Sequence, residues 1–500
     1  MKEHLLPWVR KSVKSYNKEL MRMKTNNFFK TLASNMLYAY SSQAISTLIG
    51  LSFTMLIPKV LGVDGYGYWQ LIVFYATYLG VFYLGINDGI YLRNGGKELD
   101  EINKPVVAKI CKCFFAIHSF IGLLIAISTV FLVPDKNRAF VLIATACYLP
   151  LFNIKGILGQ VMQAANNTKV SSIANLFDRI VVFMAVIVGF VLRITDFKYY
   201  VVFYVVGGFF AASYCCYQAR QILCSREKSD VKLGYEIKED IKAGIPLMVS
   251  SFSALMITGV SRQIIDMRWE ISAFSKISLA LTMMNLVLVF LNQSSLVLFP
   301  AIRKIGQSSQ TELYTALNRL INIIVPVVLV CYVPIGKLIN IWLPEYYESI
   351  AFLGVLLPIC IWDGKMNLLN NTYYKVLRME KQLLVINIGT LILNSLFGII
   401  GAYIFGNVNL IAYGLLVSIT CRSLVSEVIL QKKLGKNFDI SVVIPIFSSV
   451  LYIAFNTILP GWRAFVAYAV LYGLIFAFTY NAIRFSYKDL KDVIKKQIQE

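Results

Sequence analysis

The 500-residue chain contains few residues that could build a metal or redox site. Its two histidines, His4 and His118, are far apart, and its nine cysteines form neither a CxxC pair nor a Cys/His cluster. Zinc and iron–sulfur sites need three or four such ligands at short spacings, which argues against both. The chain also lacks the phosphate-loop, dinucleotide-binding, nucleophile-elbow and HExxH motifs. We therefore expect neither a cofactor nor an enzymatic activity.

Charged residues are scarce as well, at 15% of the chain against 57% apolar residues. With a mean hydropathy of +0.65, this composition excludes a soluble multidomain protein. Apolar runs of about 20 residues, the length of a helix that crosses a bilayer, predict about 14 spans. The predicted spans are 32–57, 68–91, 113–133, 139–163, 172–192, 199–219, 243–265, 277–300, 320–342, 351–371, 383–405, 409–430, 440–459 and 464–484. The sequence thus predicts an all-α polytopic membrane protein.

Acidic residues are scarcer than basic ones. The chain has 48 Lys and Arg but only 27 Asp and Glu, which gives it a formal net charge of +21. A nucleic-acid partner could explain such a charge, but the placement of the basic residues favours another reason. If the N-terminus is cytoplasmic, about 34 of the Lys and Arg fall in cytoplasmic tails and loops, as the positive-inside rule requires. We therefore expect both termini in the cytoplasm and no nucleic-acid partner.

The basic stretches also divide the chain. Residues 1–30 are basic and lack an apolar core and a cleavage site, which predicts a cytoplasmic leader and not a signal peptide. The longest inner connection is the basic linker 220–242, and LPLFNIKG (149–156) before it resembles LPICIWDG (357–364) after it. This echo predicts two six-helix lobes in the same orientation. The predicted bounds are 31–219 for the N-lobe, 243–430 for the C-lobe, 440–484 for spans 13 and 14, and 485–500 for a basic cytoplasmic tail.

One stretch resembles a known family. It reads PKVLGVDGYGYWQLIVFYATYLGVFYLGINDGIYLRNGGKE and covers residues 58–98. Its recurring elements are Leu61-Gly62, the turn Tyr66-Gly67, Leu84-Gly85, Gly89-Ile90 and Arg93. This pattern is similar to the first two spans of the bacterial polysaccharide flippases, the oligosaccharidyl-lipid branch of a superfamily that also holds multidrug exporters and the peptidoglycan-precursor flippase. The second half of the chain lacks the corresponding YG turn in MRWEISAFSKISL (267–279).

The resemblance implies a function and a location. It implies a flippase that moves an oligosaccharide linked to undecaprenyl diphosphate, such as an O-antigen or capsule repeat unit, from the inner to the outer leaflet by alternating access. It further implies the bacterial cytoplasmic (inner) membrane, contact with membrane lipids, and work beside a polysaccharide polymerase and chain-length machinery. Spans 13 and 14 would help to house the polyprenyl tail.

Three alternatives remain open at this point. The peptidoglycan-precursor flippase also has fourteen spans, and only the first-span motifs argue against it. A multidrug exporter of the same superfamily usually has twelve spans and would need an acidic cavity for cationic drugs. A polysaccharide polymerase, which would be an enzyme, needs a large outer loop, and none is predicted.

Four cations are predicted at one depth inside the membrane, eight or nine residues from the cytoplasmic ends of their helices, which is about 12–14 Å. They are Lys155, Arg179, Lys365 and Arg422. A lone charge at this depth costs at least about 3 kcal/mol, so we expect these side chains to face the interior. There they could hold the diphosphate of a lipid-linked substrate. Helix-to-helix salt bridges with Asp178, Asp363 or Glu427 are the alternative.

Polar residues at helical spacing extend this candidate site. In the seventh span, Arg262 and Asp266 continue a stripe that begins with Ser251 and Thr258, at steps of seven, four and four residues. Such a face lines a wet cavity or bonds helices together. The further candidates for cavity polarity or ion coupling are Asp88, Asp178, Asp363 and Asn367.

Overall fold

The computed structural model describes residues 41, 45–225, 233–303, 307–437, 439–459 and 461–499. The predicted leader 1–30 lies outside these residues. The helices α1 to α6 are Ile45–Tyr83, Ile86–Asn94, Lys104–Leu132, Lys136–Ala164, Thr168–Val191 and Phe197–Gln218. The helices α7 to α12 are Leu233–Arg268, Ile271–Arg303, Gln307–Ile324, Tyr332–Trp342, Tyr347–Leu356 and Ile359–Lys365. The helices α13 to α17 are Asn371–Val376, Glu380–Ile399, Val408–Lys433, Val443–Ile458 and Trp462–Gln499.

The prediction of an all-α polytopic membrane protein is confirmed. Within the described part of the chain, 12 helical segments are long and apolar enough to cross a membrane. The pair Pro344–Leu356 and Ile359–Val376, bent by 50°, provides a thirteenth candidate. A π-helical turn, Met366–Asn370, lies inside the second helix of this pair and joins α12 to α13.

The first helical run, α1, holds two spans. Its 39 residues would extend about 58 Å as one α-helix, nearly twice the apolar thickness of a bilayer. Gly62 interrupts it with a φ of 65°, a left-handed conformation that a continuous right-handed helix cannot contain. The hydroxyl group of Tyr346 donates a hydrogen bond of 2.7 Å to the carbonyl oxygen of Gly62. The chain therefore turns at Gly62, between the spans predicted at 32–57 and 68–91.

Contacts between distant helices mark two ends of the bundle. At the Tyr346 end, Arg138 forms two hydrogen bonds to Asp266, of 2.6 and 2.9 Å. At the Asp240 end, Arg93 binds Asp240 at 2.6 Å and Glu236 at 2.8 Å. Both acidic residues belong to the first turns of α7, which lie inside the predicted linker 220–242 and pack against α2.

Two glycines permit the closest helix contact at the Asp240 end. A Cβ atom added to Gly89 would lie 1.9 Å from the carbonyl oxygen of Asp240, and one added to Gly244 would lie 1.9 Å from that of Gly85. Both distances are far below van der Waals contact, so only glycine fits. The backbone at Gly85 and Gly89, at the start of α2, therefore lies in direct contact with the backbone of α7.

Helices α16 and α17 cover the outside of the C-terminal half. The hydroxyl groups of Tyr468 and Tyr472 donate to the carbonyl oxygens of Pro326 and Ile323 at 3.0 and 2.7 Å. The Pro326 carbonyl belongs to a 3₁₀ segment, Val325–Cys331, that leads from α9 to α10. The contacts tie the last span, α17, to the helices before it. The division of the chain into lobes stays a prediction.

Candidate substrate cavity

A cavity of about 1050 Å³ lies inside the bundle. Both spans of α1 line it, together with residues of α4 to α8, of the bent tenth predicted span, and of α15. Its size exceeds that of pockets that hold drug-sized ligands, which is typically about 300–1,000 Å³. The polar residues on its wall that the sequence did not single out include Tyr66, Gln70, Thr282 and Asn285.

The ionisable groups on the cavity wall give it a positive charge. Among the described lining residues are four cations and two carboxylates, a net charge of +2. The cations are Lys155, Arg179, Arg262 and Arg422, and the carboxylates are Asp178 and Asp363. Asn367 also lines the cavity. Seven of the ten residues predicted for the site therefore share one space, although they come from five separate helical segments.

Lys155 has its charge compensated by Asp178. The ammonium group donates a hydrogen bond to the Asp178 carboxylate across the α4–α5 contact. Both side chains are largely buried, at 13% and 17% exposure. The Tyr148 hydroxyl group lies 3.4 Å from the same carboxylate oxygen. Lys155 thus helps to hold α4 against α5, and the ion pair that it forms with Asp178 borders the cavity.

Arg422 is also held by protein groups. Its Nε donates to Oδ1 of Asn387 at 2.9 Å, and its Nη1 donates to Oδ1 of Asp363 at 3.1 Å. Asn367 lies one helical turn after Asp363 and approaches its other carboxylate oxygen at 3.5 Å.

Arg179 has no such partner. Its side chain is exposed to the cavity, and no described acceptor lies within hydrogen-bonding distance. Asp178 and Arg179 are adjacent in the chain, but neighbouring residues of a helix point about 100° apart. Asp178 therefore turns toward α4 and Lys155, whereas Arg179 presents its guanidinium group to the cavity.

Arg262 is held without a carboxylate. Its Nη2 donates to Oγ of Ser278 at 3.0 Å and to Oε1 of Gln70 at 3.4 Å. The guanidinium carbon lies 5.0 Å from the ring centroids of both Phe74 and Phe274, the geometry of a cation–π sandwich. Its buried Nε has no partner among the described residues. The charge of Arg262 is thus fixed in position and left uncompensated.

Lys365 is not among the described residues that line the cavity, which corrects the prediction that it is a cavity cation. Its ammonium group donates to Glu427 and to Asn322, each at 2.7 Å, and the side chains of Lys365 and Glu427 are 1% and 0% exposed. The physical reason is helical geometry, since residues two apart point about 200° away from each other. Because Asp363 faces the cavity, Lys365 faces the opposite side.

Asp266 and Asp88 also lie outside the described cavity lining. Asp266 is almost fully buried at the Tyr346 end, where Arg138 neutralises it. Asp88 lies half-buried on the short helix α2, at the Asp240 end. Sequence spacing did not reveal Arg138 as the partner, because its position at the start of α4 looks like an ordinary interfacial charge.

Comparisons with known proteins place this arrangement in a structural group. Neither a protein-family model nor a curated protein sequence matches the chain. Among solved structures, the lipid II flippase MurJ in an inward closed conformation has a TM-score of 0.65 and 11% identity, over 90% of this chain and 100% of that one. An inward-facing multidrug resistance MATE family transporter of the MOP superfamily has a TM-score of 0.57 and 10% identity, over 78% and 98%. The chain has the transporter fold that these proteins share.

A third structure, MATE in a straight conformation, has a TM-score of 0.50 and 12% identity, over 81% of this chain and 95% of that one. Identities this low show the fold and nothing finer. The polysaccharide branch of the superfamily, which the sequence pattern favoured, remains a matter of proposal.

Proposed function

We propose that this protein is a flippase that carries undecaprenyl-diphosphate-linked oligosaccharide from the inner to the outer leaflet by alternating access. One observation carries the proposal: a cavity with a net charge of +2 in which Arg179 and Arg262 have no carboxylate partner. A diphosphate concentrates negative charge, and arginine donors in a poorly hydrated space bind it strongly. The polar wall and the large volume suit the attached sugars.

Of two rival functions, one fits the cavity less well and the other fits it equally well. A multidrug exporter for cationic compounds would need carboxylates in excess, and this cavity has cations in excess. A flippase for the peptidoglycan precursor would carry the same lipid diphosphate, and the MurJ structure has a similar fold over 90% of this chain. That rival differs only in the sugar, so we keep it as the second candidate.

Alternating access is supported by the closing contacts at both ends. The Arg138–Asp266 pair lies at the Tyr346 end, and the contacts of Arg93 lie at the Asp240 end. Each set would have to open in turn for a substrate to enter and leave. We propose that the Asp240 end faces the cytoplasm, because the basic residues concentrate on that side.

The proposed orientation has a direct test. A reporter that is active only in the cytoplasm, fused after Glu500, should be active, whereas the same reporter inserted after Tyr347 should be silent. Activity at the second position would reverse the proposed topology. We also propose that the protein lies in the bacterial inner membrane and works beside a polysaccharide polymerase and chain-length proteins.

Complementation tests the function itself. In a strain without the gene, the wild-type protein should restore surface polysaccharide, and Arg179→Ala should restore much less at equal membrane abundance. Arg179→Lys should recover part of the loss, since it keeps the charge but not the planar, bidentate donor geometry. Restoration of peptidoglycan synthesis instead of surface polysaccharide would favour the second candidate.

A further inference from the structure

A second, apolar space adjoins the cationic cavity. This groove has a volume of about 360 Å³ and lies between the second span of α1, helices α3 and α4, and helix α7. Apart from Thr145, Gln263 and two tyrosine hydroxyl groups, its side chains are apolar. Thr145 turns its hydroxyl group to the backbone of Val141, so it offers no free polar group.

The groove opens on the surface that faces lipid. Ile125 of α3 is half-buried where it lines the groove, and its chain neighbours Leu123 and Leu124 are 56% and 50% exposed. In a polytopic membrane protein, exposed leucines of this kind contact the hydrocarbon. A chain-like apolar molecule can therefore enter from the membrane without passing through water.

A single row of aromatic side chains separates the groove from the cavity. Phe74, beneath the guanidinium group of Arg262, has its ring centroid 5.0 Å from that of Tyr78. Tyr78 lines both spaces and packs edge-on against Phe252 of α7, at 6.0 Å between centroids. Phe74 itself lines the groove, so a single aromatic ring lies between the Arg262 guanidinium group and the groove.

Tyr78 closes this boundary by one weak polar contact and one tight packing contact. Its hydroxyl group donates to the carbonyl oxygen of Leu255 at a long 3.4 Å. Its ring lies over Gly259, where an added Cβ would come within 2.1 Å of the hydroxyl oxygen. Because the hydrogen bond is long, displacing this side chain would cost little polar interaction.

We propose that the groove binds the isoprenoid chain of the substrate while its diphosphate lies in the cationic cavity. This inference rests on the proposed function and places the lipid part of the same substrate. The wall that the two spaces share at Tyr78 carries it, since an anionic headgroup beside Arg262 would leave its chain at this boundary. The groove lies on α1, α3, α4 and α7, so it is a different location from spans 13 and 14, which the family resemblance implies.

Photolabelling tests the location without any variant. The probe is a farnesyl diphosphate that carries a diazirine on its last isoprene unit, added to the full-length protein in phosphatidylcholine nanodiscs. Mass spectrometry should find the adducts within residues 74–82 and 252–263, and excess unlabelled farnesyl diphosphate should remove them. Adducts confined to 440–484 would overturn the inference.

Groove-filling variants test the same claim by affinity. Ile125→Trp, on α3, and Val81→Trp, in the last turn of α1, should each weaken farnesyl diphosphate binding at least tenfold and leave the affinity for inorganic diphosphate unchanged. Leu123→Trp is the matched control, because it adds the same ring to the exposed face of α3 and should change neither affinity. Equal farnesyl diphosphate affinity in all three variants would overturn the inference.

The two proposals fail in different ways. If inorganic diphosphate binds but chain length adds no affinity, the groove is wrong and the headgroup site stands. If inorganic diphosphate neither binds nor displaces the probe, the proposed headgroup site is wrong. A diazirine-labelled phosphatidylcholine that occupies the groove and resists farnesyl diphosphate would show that a bulk lipid is the occupant, which also overturns the inference.

Discussion

Replacing Lys365 by methionine should destabilise the protein and leave diphosphate affinity unchanged. The Lys365 ammonium group and the Glu427 carboxylate lie 2.7 Å apart in a part of the bundle where neither side chain is more than 1% exposed. Lys365→Met keeps most of the side-chain volume but removes the charge. The carboxylate of Glu427 would then remain buried without its cation.

The structure sets the expected size of the effect. Removing one partner of a buried ion pair costs about 3–5 kcal/mol, because the remaining charge is no longer compensated. Glu427 would keep the hydrogen bonds from Asn318 and Gln431, of 2.7 and 3.0 Å. We therefore expect a loss in the free energy of unfolding near the lower end, about 3 kcal/mol.

A second substitution provides the control. Glu427→Gln keeps the shape of the side chain and one oxygen that can accept the hydrogen bonds from Asn318 and Gln431, and it removes the charge. The double variant Lys365→Met with Glu427→Gln should therefore regain much of the stability. A coupling free energy of about 1–3 kcal/mol between the two sites is expected for groups in direct contact. Unfolding of the four proteins in one detergent measures the loss of stability and the coupling free energy. Titration of inorganic diphosphate into each protein measures its affinity. Unchanged stability together with lost diphosphate binding in Lys365→Met would refute the reasoning.

Two further changes test other parts of the structure. Gly89→Ala should lower the free energy of unfolding by about 1–3 kcal/mol or more, because its Cβ would clash with the backbone of Asp240. Gly389→Ala, in open space on α14, is the control and should be neutral or slightly stabilising. Equal unfolding midpoints for the two variants would contradict this contact. Burial alone would raise the pKa of Asp135, but hydrogen bonds from Tyr68 and the start of α4 outweigh it and hold the pKa below its ordinary value. This contribution to stability is present above the ordinary pKa and is lost on acidification. The unfolding midpoint of wild type should therefore exceed that of Asp135→Asn by less as the pH falls. A difference that grows as the pH falls would contradict this expectation.

The spans and the depth of the intramembrane charges follow from the sequence, since both depend only on distance along the chain. The direction in which a side chain points depends on how its helix is rotated against its neighbours. Depth alone grouped Lys365 with Arg422, although one pairs with Glu427 in the interior and the other borders the cavity. The polar stripe of α7 predicted Arg262 as a cavity residue and failed for Asp266, one turn further on, because Arg138 comes from a distant segment.

The apolar groove was beyond prediction for a related reason. Its wall is built from four segments that are separated by up to about 180 residues, and the aromatic side chains on each segment resemble ordinary membrane-helix packing. Only the contact of Tyr78 with α7 shows that these rings separate two spaces.

The central claim is that uncompensated arginines in the cavity bind the diphosphate of the substrate. Calorimetric titration of inorganic diphosphate into the purified full-length protein, as wild type, Arg179→Ala, Arg262→Ala and Arg463→Ala, tests it most directly. A charge-assisted hydrogen bond contributes about 1.5–3 kcal/mol, so each cavity variant should bind about ten- to a hundredfold more weakly. Arg463→Ala removes an exposed charge outside the described cavity lining and should bind as wild type does. Equal affinity in all four proteins, at unchanged unfolding midpoints, would contradict the account.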